Sequence, residues 1–223
     1  MSDRILAGQE TAKWLLDIKA VNFRPDEPYT FTAGWASPVY IDCRWLISFT
    51  EARRRVLQLA VEMLNRDADM RNTDLVAGGE TAGIPYAAWI AETIGKPMLY
   101  VRKKPKGFGR DAQIEGMLKQ GQKVLLVEDL ATDGGSKINF VNALRSAGGI
   151  VSDIFVVFFY SVFPGAQDAL EKASVKLHYL CTWDDVLQVA DEGEYFPSDT
   201  IKEVREFLAE PIQWSARNGG RRG

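Results

Sequence analysis

The chain has 223 residues with 27 basic and 30 acidic side chains, a net charge of −3, and 46% hydrophobic residues. That length suits one generous domain with a full core, and the acidic excess argues against a nucleic-acid-binding role, which would show as a basic face. No apolar stretch reaches membrane-spanning length and the N-terminus lacks the basic-then-apolar layout of a secretion signal, so a cytoplasmic protein with no membrane partner is expected.

Two cysteines, Cys43 and Cys181, lie far apart without metal-like spacing, so reduced thiols are expected. His178 is the only histidine, which leaves no Ser-His-Asp set and no zinc site to assemble. It alternates with Leu177 and Tyr179 in a strand-like run, and a structural role is expected for it.

In chain order, Thr11, Trp14, Leu15 and Ile18 recur at helical spacing and predict an amphipathic helix from Ile5 to Lys19. Residues 22–28 read as a connector. From Tyr29 to Arg44, β-formers alternate around Gly34 and predict a hairpin. Ser48-Phe49-Thr50-Glu51 has the form of a capping box, and Val56, Leu59, Ala60, Met63 and Leu64 carry a helical stripe ending near Asn65. Leu75-Val76-Ala77 reads as a short buried strand. Gly78-Gly79-Glu80-Thr81-Ala82-Gly83 then reads as a glycine-rich loop feeding a helix with Tyr86, Trp89, Ile90 and Ile94 on its apolar face. A loop that opens a helix offers backbone amides to an anion, although a turn requiring positive φ fits the same glycines.

Residues 97–101 predict a strand that runs into Arg102, Lys103, Lys104, Pro105, Lys106, Gly107, Phe108, Gly109 and Arg110. So many cations with two glycines and a proline favour neither helix nor strand, and mutual repulsion should keep the segment mobile until an anion arrives. Gln113-Ile114-Glu115-Gly116 follows. The next apolar run, Val124-Leu125-Leu126-Val127, reaches two adjacent acids, Glu128 and Asp129, and then Leu130-Ala131-Thr132-Asp133-Gly134-Gly135-Ser136. A helix with Ile138, Val141 and Leu144 on one stripe comes next, stopped by Gly148-Gly149. Successive strand side chains face opposite sides, so Glu128 and Asp129 should diverge. The glycines and the helix N-terminus make an anion cradle. Acids beside such a cradle suit a sugar phosphate, whose hydroxyls donate to carboxylates while the amides hold the phosphate. The same string also fits an ordinary β–turn–α crossover with solvated acids.

Residues 154–159 form a nearly continuous apolar strand, as an interior parallel sheet requires. Residues 175–181 predict another strand. Thr182-Trp183-Asp184-Asp185 and Thr200-Ile201-Lys202-Glu203 read as helix starts, and residues 218–223 as a disordered tail. The alternation predicts an α/β fold with a central parallel sheet flanked by helices, whose ligand sits where the glycine-rich loops converge at the strands' carboxyl ends.

The string from Val124 to Ser136 resembles the 5-phosphoribosyl-1-diphosphate (PRPP) signature of type I phosphoribosyltransferases. Phe-Thr-x-Gly-Trp-x-Ser-Pro-x-Tyr-x-Asp-x-Arg, residues 31–44, is similar to the N-terminal hood segment of orotate phosphoribosyltransferases. The 102–116 segment resembles that family's catalytic loop, Arg-Lys-x-x-Lys-x-His-Gly completed by Ile-Glu-Gly. The resemblance spans about Pro28 to Pro164.

It implies the type I phosphoribosyltransferase fold in a single domain, 1–223, with a small hood built from about residues 20–45 and 175–215. It also implies transfer of phosphoribose from PRPP to orotate, yielding orotidine 5′-monophosphate and pyrophosphate, by a homodimer whose loops reach into the neighbouring site. PRPP would be held by Arg102, Lys103, Lys106, Glu128, Asp129, Thr132, Asp133, Gly134, Gly135 and Ser136, with Gly79, Glu80 and Thr81 meeting its pyrophosphate. Lys106, Lys103 and Asp129 would carry catalysis, and Val39, Tyr40 and Thr132 would meet the base. Mg²⁺ is the expected cofactor, held mainly through PRPP and water. The Asp133 carboxylate is expected to turn away from the phosphate.

Two positions depart from the family pattern. Phe108 replaces the loop histidine, with Arg110 a candidate substitute, and Tyr160-Ser161-Val162-Phe163-Pro164 lacks an arginine expected to bind the orotate carboxylate. These departures leave open a transferase for another base, or a non-catalytic regulator that senses PRPP or a nucleotide.

Overall fold

A computed structural model of the chain describes residues 3–31, 34–106, 113–132, 135–162 and 166–221, with positions 135, 136, 166 and 167 described as backbone only. The N-terminal half contains α1 (Asp3–Asp17), β1 (Val21–Phe23), β2 (Tyr29–Thr30), β3 (Ala36–Ser37), β4 (Val39–Ile41), a 3₁₀ turn (Cys43–Ser48), α2 (Thr50–Asp67), β5 (Leu75–Gly79), α3 (Gly83–Ile94) and β6 (Met98–Val101). Then come β7 (Ile114–Glu115), β8 (Lys123–Ala131), α4 (Gly135–Ser146), β9 (Ile150–Phe159), α5 (Ala166–Lys172), β10 (Lys176–Thr182), α6 (Trp183–Glu192), α7 (Ser198–Ala209) and α8 (Pro211–Arg217).

A six-stranded sheet in the order β10-β9-β8-β5-β6-β7 forms the centre. All its pairings are parallel except the edge strand β7, which runs antiparallel to β6. The period of two sorts the strand residues onto two cores. Val76, Leu125, Val127, Phe155 and Val157 join a core shared with α1, α2, α3, α6 and α7. Leu75, Ala77, Leu126, Ile154 and Val156 face the other way, onto Phe140, Val141 and Leu144 of α4. Burial on both faces accounts for the unbroken apolar runs of β8 and β9. No helix among the described residues is long and apolar enough to cross a membrane.

The hood differs from the expected hairpin. Residues 22 and 23, expected as connector, join Val21 in β1 and pair with β4, Val21 opposite Ile41 and Phe23 opposite Val39, while β2 pairs with β3. A three-residue strand carries too little periodicity to be read without its distant partner. β10 lies in the central sheet rather than in the hood, because Leu177, Tyr179 and Cys181 pair with Ile154, Val156 and Phe158 of β9. The C-terminal helices do reach the hood, where the Ala36 N–H donates to Ser215 Oγ at 2.9 Å.

Residues 218–221, expected as part of a disordered tail, turn back onto the hood. The Arg221 N–H donates to Gly34 O at 2.7 Å, and the Arg221 guanidinium lies 5.2 Å from the Trp35 ring centroid. Gly220 permits that approach, since a Cβ there would lie 2.4 Å from both Ala36 N and Ser215 Oγ.

Helix starts divide the same way. Thr182 and Asp185 form the expected reciprocal capping box. Ser48 instead closes the 3₁₀ turn, and Phe49 occupies the cap of α2 with no side-chain bond. α7 begins at Ser198, two positions before Thr200. His178 is buried with Nε2 2.7 Å from Asp153 Oδ1, at a ladder position well inside the strand.

Candidate active site

β8 organises the site. Val124, Leu126 and, by parity, Glu128 face α4; Val127 and Asp129 face α3 and the hood. The two adjacent acids therefore diverge as the alternation requires. Both are buried, 6% and 8% exposed.

Glu128 turns toward α4, where Oε2 lies 3.2 Å from Lys137 Nζ. Its other oxygen, Oε1, is buried without a hydrogen-bond partner among the described residues, tucked beneath the start of the β5–α3 connection. A Cβ at Gly79 would lie 2.3 Å from that oxygen, and one at Gly83 2.6 Å. Burial pushes the Glu128 carboxyl up to about 7, with Lys137 opposing the shift. Burial also raises the Asp129 carboxyl, opposed by Lys137, by backbone amides and by Arg44. Asp129 in turn helps raise the buried Cys43 thiol and Tyr86 hydroxyl, after burial itself, so it stands on the side where the hood closes over the sheet.

The expected loop at 78–83 starts later than the composition suggests. Gly78 and Gly79 complete β5, fully buried. The connection narrows to residues 80–82, with a cis peptide between Glu80 and Thr81. Glu80 Oε2 accepts the Lys103 N–H at 2.7 Å, which ties this connection to the base of the cationic segment. Lys103 also opposes the upward shift of Glu128, so the loop base and the acid pair share one electrostatic neighbourhood.

β6 and β7 form the stem of the cationic segment, closed by the Arg102 N–H donating to Gln113 O at 2.8 Å and Gln113 Nε2 to Arg102 O at 3.2 Å. Glu115 clamps this stem. Its Oε1 is 3.5 Å from Arg102 Nη1 and pairs directly with Lys106 Nζ. The Lys106 hydrogen bond, ahead of the Arg102 charge, holds the Glu115 carboxyl below its usual range. Lys106 is thus on the stem and engaged by a carboxylate of its own hairpin. Phe108 and Arg110 lie outside the described residues.

Thr132 follows β8, and Gly135 opens α4; Asp133, Gly134, Phe163 and Pro164, with the expected outward turn of Asp133, lie outside the described residues. Of the three expected base-binding residues, Val39 is fully buried, and Ser37 engages its backbone, accepting from Val39 N–H at 3.2 Å and donating to Val39 O at 2.9 Å. Tyr40 is half-buried, its ring 5.2 Å from Tyr29 and its hydroxyl accepting from Arg44 Nη2 at 3.2 Å. Arg44 is otherwise gripped by Asp42 through two bonds of 2.6 Å. Where an arginine was expected after β9, Tyr160 is buried against Phe31 of the hood, 5.9 Å between ring centroids, and its N–H donates to Ala131 O at 2.9 Å.

Sequence reasoning did not single out Lys137 or the clamping role of Glu115. Glu115 was legible as part of the Ile-Glu-Gly string, but its partners were not. Lys137 had no signal beyond sitting after the cradle, because its burial depends on where α4 packs.

A parallel sheet that aims an acid under a hood, beside the start of α4 and the stem of a cationic segment, has the layout of an α/β protein with its site at the strands' carboxyl ends. No protein-family profile matches the chain. The chain is 51% identical over 219 residues to the orotate phosphoribosyltransferase of Sinorhizobium fredii (strain NBRC 101917 / NGR234), covering 98% of this chain and 94% of that one. Among solved structures it resembles orotate phosphoribosyltransferase from Aeropyrum pernix, with TM-score 0.70 and 30% identity over 83% of this chain and 99% of that one. It also resembles the Mycobacterium tuberculosis H37Rv orotate phosphoribosyltransferase in complex with PRPP, with TM-score 0.62 and 26% identity over 83% and 99%. The chain belongs to the orotate phosphoribosyltransferase family.

Proposed function

We propose that the chain transfers the phosphoribosyl group of PRPP to orotate, giving orotidine 5′-monophosphate and pyrophosphate in pyrimidine synthesis. One observation carries the reading: β8 delivers Asp129 to the hood side of the sheet and ends at Ala131, shortly before α4 opens at Gly135. The family of the chain supplies the substrates.

In this reading the 5-phosphate sits on the amides of residues 132–136, with the hydroxyls of Thr132 and Ser136. Asp129 accepts from the ribose hydroxyls, with Glu128 beside it. Gly79, Glu80 and Thr81 meet the pyrophosphate. The C1–pyrophosphate bond breaks as orotate N1, reacting as its anion, bonds to C1, so no side chain must remove a proton. Positive charge grows on the sugar and negative charge on the leaving group. Lys106 exchanges Glu115 for the pyrophosphate, Lys103 and Arg102 add to that field, and closure of the loop keeps water from the cationic sugar. The base lies under the hood against Tyr40 and Thr132.

Magnesium fits the site as a cation carried largely by substrate. Glu128 Oε2 is paired with Lys137. The oxygens expected to hold the ion are those of the pyrophosphate and water, with the Glu80 carboxylate at the loop to receive the water shell. The chemistry Mg²⁺ supplies when bound is neutralisation of charge on the leaving pyrophosphate. The same reading takes residues 1–223 as one domain acting in the cytoplasm as a homodimer that shares the 103–115 loop across subunits. Exposed Trp45 and Phe49, 46% and 43% accessible, support such an interface.

A base panel tests the reaction. Purified protein with PRPP and Mg²⁺ should release pyrophosphate with orotate and not with uracil, adenine, hypoxanthine or xanthine. Turnover with another base would overturn the assignment of orotate, and PRPP binding with no turnover would favour a regulator. Lys106→Ala should lower kcat on the order of 10²-fold while PRPP binding changes little, because its partner gains charge only in the transition state. Unchanged turnover would remove Lys106 from catalysis.

A further inference from the structure

We infer that Arg44 is the specificity-determining cation of the base pocket: held by Asp42 at the foot of the hood, it receives the carboxylate of the incoming base, with the Tyr40 hydroxyl as a second donor. The inference rests on the proposed reaction and adds to it the group that tells orotate from uracil, since the two bases differ by that carboxylate alone.

Arg44 lies at the start of the 3₁₀ turn that joins β4 to α2. That turn is pinned beside the carboxyl end of β5, where Tyr86, in the first turn of α3, donates its hydroxyl to Cys43 O at 2.5 Å. Asp42 takes Nε and Nη2 of the guanidinium at 2.6 Å each, and the Arg44 N–H at 3.1 Å. The fork is therefore oriented before any ligand arrives. Nη2 also donates to the Tyr40 hydroxyl at 3.2 Å, and a hydroxyl that accepts from arginine still has its own proton to give. Nη1 has no hydrogen-bond partner among the described residues, and the side chain is 56% exposed. Arginine carries five donors in a rigid fork, so one carboxylate can orient it while a second is bound.

The guanidinium also stands near the ribose acid, because its charge opposes the upward shift of the Asp129 carboxyl. Other arginines at the hood are engaged elsewhere. Arg24 is paired with Glu27 and lies over the Tyr29 ring, and Arg221 lies over Trp35. Residues 160–162, which follow β9, carry no cation.

The experiment compares wild type, Arg44→Gln and Arg44→Lys by calorimetric binding of orotidine 5′-monophosphate and uridine 5′-monophosphate, with steady-state kinetics and thermal melting alongside. These nucleotides differ in the carboxylate alone, and the wild type should prefer the first. Arg44→Gln should weaken orotidine 5′-monophosphate about tenfold or more and leave uridine 5′-monophosphate within about twofold. The KM for orotate should rise in step, with the KM for PRPP within about threefold of wild type. Arg44→Lys keeps the charge without the fork and should fall between. A variant that weakens both nucleotides equally would reduce Arg44 to support of the hood and overturn the inference. So would a folded Arg44→Gln that keeps the wild-type ratio of affinities. Should Arg44→Gln fail to fold, Arg44→Lys decides by the same ratio. A wild type that releases pyrophosphate with orotate yet binds both nucleotides alike would overturn the inference alone. Absence of orotate-dependent release would overturn the proposed reaction, and the inference with it.

Discussion

Glu128 and Asp129 are one peptide bond apart and serve opposite sides of the sheet. Glu128 faces α4, compensated by Lys137 and covered by the β5–α3 connection. Asp129 faces the hood, near Arg44, Cys43 and Tyr86, with Lys137 opposing the upward shift that burial gives its carboxyl. Two adjacent carboxylates at a strand end are thus different devices. One is paired with a lysine inside the protein, and the proposed reaction asks the other to take the ribose.

The largest effect should come from removing the hood-side acid. Asp129→Asn keeps the shape and deletes the charge, so kcat/KM for PRPP should fall on the order of 10²-fold or more with little change in melting temperature. A variant within a fewfold of wild type would place the ribose contact elsewhere.

Gly79→Ala presses on the α4-side acid from above. Its Cβ would lie 2.3 Å from Glu128 Oε1 and 2.7 Å from Phe140 Cε2, so overpacking should cost about 1–3 kcal/mol in chemical denaturation and weaken PRPP binding. Unchanged stability would mean that Glu128 yields freely.

A third test uses pH. Glu128 titrates near 7 in the fold against an ordinary value of 4.5, burial being the main cause. Between those values the folded state binds more protons than the unfolded state, so this group's contribution to stability falls as pH rises through the window. Melting of Glu128→Gln should therefore gain on wild type from pH 5 to pH 8, and parallel melting curves across that range would contradict the assignment.

The smallest effect should lie farthest from the acids. Ser215→Ala removes the acceptor for the Ala36 N–H and should cost about 1 kcal/mol, with a modest rise in the KM for orotate as the hood loosens. An effect on PRPP alone would detach the hood from base binding.

Long apolar strands were the most legible part of the chain. β8 and β9 are buried on both faces, and residues 124–127 and 154–159 announce that in composition alone. The divergence of Glu128 and Asp129 followed from the strand period. What stayed hidden depended on distant partners: β1 exists because Val39–Ile41 lies opposite it, and residues 218–221 turn back to the hood, where Gly34 accepts from Arg221. Ser48 looked like a cap because local pattern cannot see that a 3₁₀ turn already claims it. At the site, the glycine turns and loop cations were visible as motifs, whereas the pairing of Lys106 with Glu115 and of Lys137 with Glu128 arises only when β7 meets β6 and α4 packs on β8.

The most direct measurement is a crystal structure of the protein with PRPP bound. The division of labour predicts the Asp129 carboxylate within hydrogen-bond reach of a ribose hydroxyl while Glu128 stays paired with Lys137 beneath Gly79 and Gly83. A complex in which Glu128 has left Lys137 to share the ribose with Asp129 would contradict it.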